Sequence, residues 1–259
     1  VDESLEALLA SAQVWRARAK GAADTEGGAA IGTRAGPRAG APVGATGLAE
    51  GASRVLPTGW PALDAALPDG GWPLGTLVEL LLPSHGVGEL QLLLPALRAL
   101  STGTPGPLPA NAVPAGAWLV WIAPPLAPYP PALAQAGLEP SRVLLVDAAS
   151  TQDRLWSMEQ ALHSRSCGAV LAWLDEVDDR WLRRLKLAAE PTRTLAVLFR
   201  PLARRAQASP AALRLALEPH GEALDVQVLK SRAGPRQVEI SLDAARPARG
   251  PGLQAGGAR

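Results

Sequence analysis

The sequence predicts an α/β fold: a mostly parallel, twisted sheet with helices on both faces and antiparallel strands added at the C-terminal end. Three observations predict it. Several short runs are apolar almost throughout, such as Thr76–Leu82 (TLVELLL), Trp118–Ile122 (WLVWI) and Ala169–Leu174 (AVLAWL). A strand with one solvated face alternates, so unbroken apolar runs mark strands buried on both faces. Segments of helical spacing separate these runs, which is the pattern of strand–helix–strand crossovers. The last three strand-like runs are separated by turns too short to hold a helix, so they are expected to pair antiparallel at the sheet edge.

In chain order, residues 2–20 read as an amphipathic helix, with Leu5, Leu8, Leu9, Ala12, Val14 and Trp15 on one stripe. Residues 21–53 are mostly Ala, Gly, Thr and Pro. They offer almost no large apolar side chain to offset the entropy of ordering, so they read as a flexible linker. Residues 54–243 carry the α/β pattern. Strand Thr76–Leu82 precedes a helix over Leu90–Leu100 and then strand Trp118–Ile122. A short helix over Pro131–Ala136 follows a proline-rich turn and leads to strand Val143–Val146. Helix Gln152–His163, strand Ala169–Leu174, helix Asp178–Ala189 and strand Leu195–Phe199 complete the alternation. Leu213–Leu217, Leu224–Leu229 and Val238–Leu242 are the closing strands, joined by turn residues such as His220-Gly221 and Gly234-Pro235. Residues 244–259 are rich in Pro, Gly and Arg and read as a disordered tail.

The chain has 259 residues, a net charge of +1, and one cysteine, so no internal disulfide can form. Cys167 borders a strand and reads as a buried thiol. His85, His163 and His220 share no ligand spacing with one another or with Cys167, so neither a metal nor another cofactor is expected. The segment Val1-Asp2-Glu3-Ser4 lacks a basic-then-apolar leader pattern, and no apolar run approaches the roughly 18–20 residues of a membrane span. A cytoplasmic protein without membrane contact is the expectation.

One turn carries the chemistry, or its loss. Strand Thr76–Leu82 runs through Pro83-Ser84-His85-Gly86-Val87-Gly88-Glu89-Leu90 into a helix. That is where a phosphate loop sits, because backbone N–H groups and the helix N-terminus attract anions. The working pattern is G-x-x-x-x-G-K-[ST]. Here Pro83 replaces the first glycine, Gly88 is the second, Glu89 stands at the lysine and Leu90 at the hydroxyl position. Glu89 brings a negative charge where a triphosphate needs a cation, and Leu90 cannot hold Mg²⁺. Two like charges about 4 Å apart repel by roughly 1 kcal/mol in water and by several times more when partly buried. The alternative is a tight strand–helix turn that never bound phosphate.

The surrounding residues resemble RecA. The run from Leu56 to Leu80 (LPTGWPALDAALPDGGWPLGTLVEL) is similar to the segment that leads into RecA's first core strand and phosphate loop. Ile122 through Val146 resembles the next strand, helix and strand. The resemblance implies a RecA-like core. It also implies that RecA's catalytic glutamate is replaced by Pro125, and that the second-motif aspartate has at most a weak substitute in Asp175. More closely, residues 54–243 resemble the ImuA family of translesion-synthesis accessory proteins. The motifs are L-P-T-G-W-x-x-L-D (56–64), G-G-W-P-x-G-x-L-x-E-L-L-L-P (70–83), G-x-G-E-L-x-L-L-L-P-A-L (86–97), A-P-P-x-x-P-Y-x-P-A-L (123–133), C-G-A-V-L-A-W (167–173), L-R-R-L-x-L-A-A-E (182–190) and F-R-P (199–201). This resemblance implies partnership with ImuB, an error-prone C-family DNA polymerase and RecA. The cell-division inhibitor SulA is similar around A-W-L (172–174), L-A-A-E (187–190) and F-R-P (199–201) but lacks the long lead-in segment.

Between Val177 and Arg214 lie nine basic residues against three acidic ones. Arg180, Arg183, Arg184, Arg200, Arg204 and Arg205 are therefore candidates for weak DNA contact or for an acidic partner surface. The plain alternative is a solvated helix face. Tyr129, flanked by prolines, is a candidate aromatic anchor for a partner. Trp60 and Trp72 either pack over their turn or face a partner. Asp175, Glu176, Asp178 and Asp179 could hold Mg²⁺, but acids before a helix more often cap it. The sequence therefore leads to a non-catalytic damage-response partner protein. A SulA-type inhibitor acting on FtsZ, or an ATPase using substitute residues, are the alternatives.

Overall fold

The computed structural model describes residues 54–102 and 116–242, and the backbone of residues 13–16. Among them, nine strands form one sheet: β1 (Gln13–Arg16), β4 (Thr76–Leu82), β5 (Trp118–Ile122), β6 (Val143–Asp147), β7 (Cys167–Trp173), β8 (Leu195–Pro201), β9 (Leu213–His220), β10 (Ala223–Lys230) and β11 (Arg236–Ser241). Their order is β1-β6-β5-β7-β8-β4-β9-β10-β11. A separate two-stranded sheet pairs β2 (Val55–Leu56) with β3 (Trp72–Pro73). The helices are α1 (Pro61–Ala66), α2 (Glu89–Thr102), α3 (Pro130–Gln135), α4 (Thr151–His163) and α5 (Asp179–Ala189).

The sheet is buried on both faces. Val78, Leu80, Leu171, Trp173, Val197 and Phe199 pack in one core with Leu92, Leu93, Leu97 and Leu100 of α2. Leu77, Val170, Ala172 and Leu198 point the other way, against Leu155 and Met158 of α4 and Leu182 and Leu185 of α5. Successive strand residues reach opposite cores, which is why the runs show no alternation. Caps fix the helix starts. Ser150 accepts a hydrogen bond from the Asp153 N–H at 3.1 Å, and Asp178 accepts one from the Trp181 N–H at 2.7 Å. No described helix is long and apolar enough to cross a membrane.

Two expectations change. The sequence predicts helix over residues 2–20, but Gln13–Arg16 form a strand antiparallel to β6. An uncovered edge strand offers a row of free N–H and C=O groups, and pairing with them overrides a weak helical pattern. The rest of that segment, the linker 21–53 and the tail 244–259 lie outside the described residues. The second change concerns β9, which is parallel to β4, not antiparallel. The segment Leu202–Ala212 crosses over β4 without a full helix, so of the three closing strands only β10 and β11 are added by antiparallel pairing.

The lead-in segment fastens the helix that follows the 83–90 turn. Asp64 accepts a hydrogen bond from the Thr58 N–H at 2.8 Å, and the Trp60 indole N–H donates to the Leu92 carbonyl at 2.9 Å. Gly59 has a positive φ of 84°, and a Cβ there would sit 2.3 Å from Pro95 Cβ, so only glycine lets this turn rest on α2.

Candidate functional site

The turn between β4 and α2 has the form of an anion nest, and its own side chain fills it. Gly86 and Gly88 both have positive φ, 83° and 108°. Their N–H groups converge on one carboxylate: the Gly86 N–H donates to Glu89 Oε1 at 2.9 Å, and the Gly88 N–H to Oε2 at 3.1 Å. Glu89 is buried, with only 4% of its surface exposed. It opens α2, where a negative charge is favoured by the helix dipole. Two of the backbone donors that could hold an outside anion are thus already used. Pro83 and Gly86 are exposed, and Leu90 packs against the core.

A cleft of about 400 Å³ lies above this turn. Its other wall is the β9–β10 hairpin, with Pro219, Gly221, Glu222 and Ala223, together with Leu242. Leu242 touches the turn so closely that a Cβ on Gly88 would come within 2.5 Å of its Cδ1. None of the lining residues is cationic, and the one charged residue among them is Glu222.

The candidate basic residues do not form one patch. Arg200 is buried, against the expectation of a surface role. Its Nη1 lies 3.4 Å from Glu79 Oε1, and its Nη2 donates to Gln207 Oε1 at 2.8 Å. Glu79 is also fully buried and accepts from Arg214 Nε at 2.8 Å and from Ser209 Oγ at 2.6 Å. Burial lowers the Arg200 guanidinium from its ordinary value, and the Glu79 carboxylate opposes that shift. This Glu79–Arg200–Arg214 cluster ties β4, β8 and β9 together. Its sequence signal was a lone acid inside an apolar strand, which requires a buried partner.

The other arginines are on the surface in two groups. Arg180, Arg183 and Arg184 share the exposed face of α5. Arg183 pairs with Asp179, while Arg184 pairs with Glu159 at 2.5 Å and lies over the Trp181 ring. The Glu159 hydrogen bond raises the Arg184 guanidinium above its ordinary value. Arg204 and Arg205 follow β8. Arg204 pairs with Glu176 at 2.6 Å, and Arg205 donates to Gln227 at 3.2 Å. Tyr129 is 69% exposed beside Leu126, which is 79% exposed, and both lie on the loop after β5. Trp60 and Trp72 are buried, so they pack inward and present nothing to a partner. Among the acids at the start of α5, Asp178 is the helix cap, Asp179 in the first turn and Glu176 before it hold arginines, and Asp175 is exposed.

Comparison with known proteins gives a distant kinship. The chain is 28% identical over 127 residues to the cell division inhibitor SulA of Serratia proteamaculans (strain 568), a match covering 49% of this chain and 68% of that protein. It is 28% identical over 128 residues to the cell division inhibitor SulA of Yersinia enterocolitica serotype O:8, covering 49% and 69%. No family model matches. This chain is a distant relative of SulA over about half its length. The kinship does not single out the translesion family, so the alternative drawn from sequence has the better support.

Proposed function

We propose that this chain is a non-catalytic, partner-binding protein of the bacterial DNA-damage response, built on a RecA-like framework. One observation carries the non-catalytic reading: the Glu89 carboxylate takes the N–H groups of Gly86 and Gly88 that a working phosphate loop would offer to nucleotide. The motif's lysine and Mg²⁺-binding hydroxyl are replaced by Glu89 and Leu90, and no cationic side chain lines the cleft above the turn. What remains is a rigid sheet with exposed surface features, among them Tyr129, Leu126 and the arginine face of α5, that suit protein contact.

The similarity to SulA supports a division inhibitor acting on FtsZ as the first partner assignment. A second assignment is a translesion accessory protein that works with ImuB, the C-family polymerase and RecA. It is supported by the lead-in segment from Leu56 to Pro83, whose motifs resemble the translesion accessory family and which here is folded onto α2 through Trp60. Expression and deletion in the native host separate the two. Filamentation on expression without DNA damage supports division inhibition. Normal cell length, with loss of damage-induced mutation in the deletion strain, supports the translesion role. Saturable ATP turnover that disappears in Asp175→Asn would refute both and favour an ATPase.

A further inference from the structure

The geometry points to a divalent transition-metal site on the outer face of the sheet edge, formed by His220 of β9, Asp225 of β10 and Glu239 of β11. We infer this independently of the partner assignment. Strand register brings the three together. Asp225 faces Glu239 across one ladder and Glu218 across the other, and His220 faces Ala223, two residues before Asp225. Leu217, Leu224, Val226 and Ile240 of the same strands are buried, so this row occupies the opposite, solvated face. Sequence spacing conceals the set, because only the folded register makes residues 220, 225 and 239 neighbours.

The distances suit an ion better than a hydrogen bond. His220 Nδ1 lies 3.7 Å from Asp225 Oδ2 and 3.9 Å from Glu239 Oε2. The candidate ligand atoms of the three residues all lie within 4.8 Å of one another. Hydrogen bonds need about 2.7–3.2 Å, so these contacts are long ion pairs at most and not hydrogen bonds. A tetrahedral ion with bonds of about 2.0–2.1 Å holds its ligands roughly 3.4 Å apart. The two ladders fix the backbone positions of the three residues, so the ligand atoms would have to draw in by side-chain rotation.

Charge gives a separate reason. Glu218, Asp225 and Glu239 form a cross-strand row of three carboxylates. Like charges directly opposite one another destabilise a sheet, and a divalent cation among them reverses the sign. One imidazole with two carboxylates favours zinc or a neighbouring transition metal over the all-oxygen preference of Mg²⁺ and Ca²⁺. Three protein ligands leave a coordination position for water. The bound ion would clamp β9, β10 and β11, the strands whose hairpin walls the cleft above Gly86 and Gly88.

The test is a calorimetric zinc titration of the full chain at neutral pH, with Mg²⁺ as competitor. The expected result is a single equivalent bound in the micromolar range and unaffected by Mg²⁺. His220→Ala and Asp225→Asn should each weaken binding by about tenfold or more while circular dichroism stays unchanged. Cys167→Ser should bind like the parent, because Cys167 is buried and takes no part. No zinc binding in a submillimolar titration overturns the assignment. So does affinity that survives His220→Ala, or that follows Cys167 instead.

Discussion

Replacing Glu79 by glutamine should strongly destabilise the protein. The carboxylate is fully buried between two arginines, accepting from Arg214 Nε at 2.8 Å, Ser209 Oγ at 2.6 Å and Arg200 Nη1 at 3.4 Å. Glutamine keeps the shape but removes the charge, and its NH₂ group faces a guanidinium. Two buried cations are then left without a counter-charge. Breaking a buried pair in this way costs about 3–5 kcal/mol. Whole-domain stabilities are on the order of 5–15 kcal/mol, so the loss is a large fraction of the total. Urea unfolding followed by tryptophan fluorescence measures it, as a lower midpoint at unchanged slope. The triple replacement Glu79→Leu, Arg200→Met, Arg214→Leu should recover much of the loss, because apolar side chains of similar size need no counter-charge. A Glu79→Gln variant within about 1 kcal/mol of the parent would refute the argument, since that is the scale of an ordinary substitution. A triple variant less stable than the single one would show that packing, not unpaired charge, sets the cost.

Other expectations follow from the same geometry. Asp178→Ala removes the α5 cap and should cost about 1 kcal/mol in thermal or urea unfolding. Gly75→Ala should cost more than about 1 kcal/mol, because Gly75 has a positive φ of 68° and a Cβ would meet the Thr192 carbonyl at 2.5 Å. The hydrogen bond from the Ser141 side chain holds the exposed Glu139 carboxyl below its ordinary value. A lowered folded-state value means that the stabilisation is present above the unfolded carboxyl's titration and is lost as pH falls through the folded one. Ser141→Ala should therefore move the Glu139 titration upward in an NMR pH series. Leu126→Ser with Tyr129→Ala should leave the melting temperature unchanged while weakening partner capture in cells, because both side chains are largely exposed.

The parts of the fold readable from sequence are those where one physical signal dominates. The runs TLVELLL, WLVWI and AVLAWL read as strands buried on both faces, and strands lie at Thr76–Leu82, Trp118–Ile122 and Cys167–Trp173. Helix starts were readable where a cap residue stood, as at Asp178. Features set by long-range pairing were not. Gln13–Arg16 has a weak helical pattern, and its strand exists because the β6 edge is available to it. The direction of β9 depends on where the crossover after β8 lands, which no local pattern specifies. Arg200 looked like a surface cation because arginine usually is one. Only the strand register, with Arg200 beside Leu81 and Arg214 beside Glu79, brings both arginines to that acid in the core. At the 83–90 turn the sequence showed that Glu89 stood in the lysine position. That its carboxylate turns back onto the Gly86 and Gly88 N–H groups depends on folded geometry.

The most direct test follows the amide signals of Gly86 and Gly88 by NMR while Mg²⁺–ATP is added. With both N–H groups held by Glu89, the account predicts no saturable shift of either signal into the millimolar range. A saturable shift at micromolar nucleotide, with the Glu89 carboxylate displaced, would mean that the turn is a working phosphate site and would contradict the account.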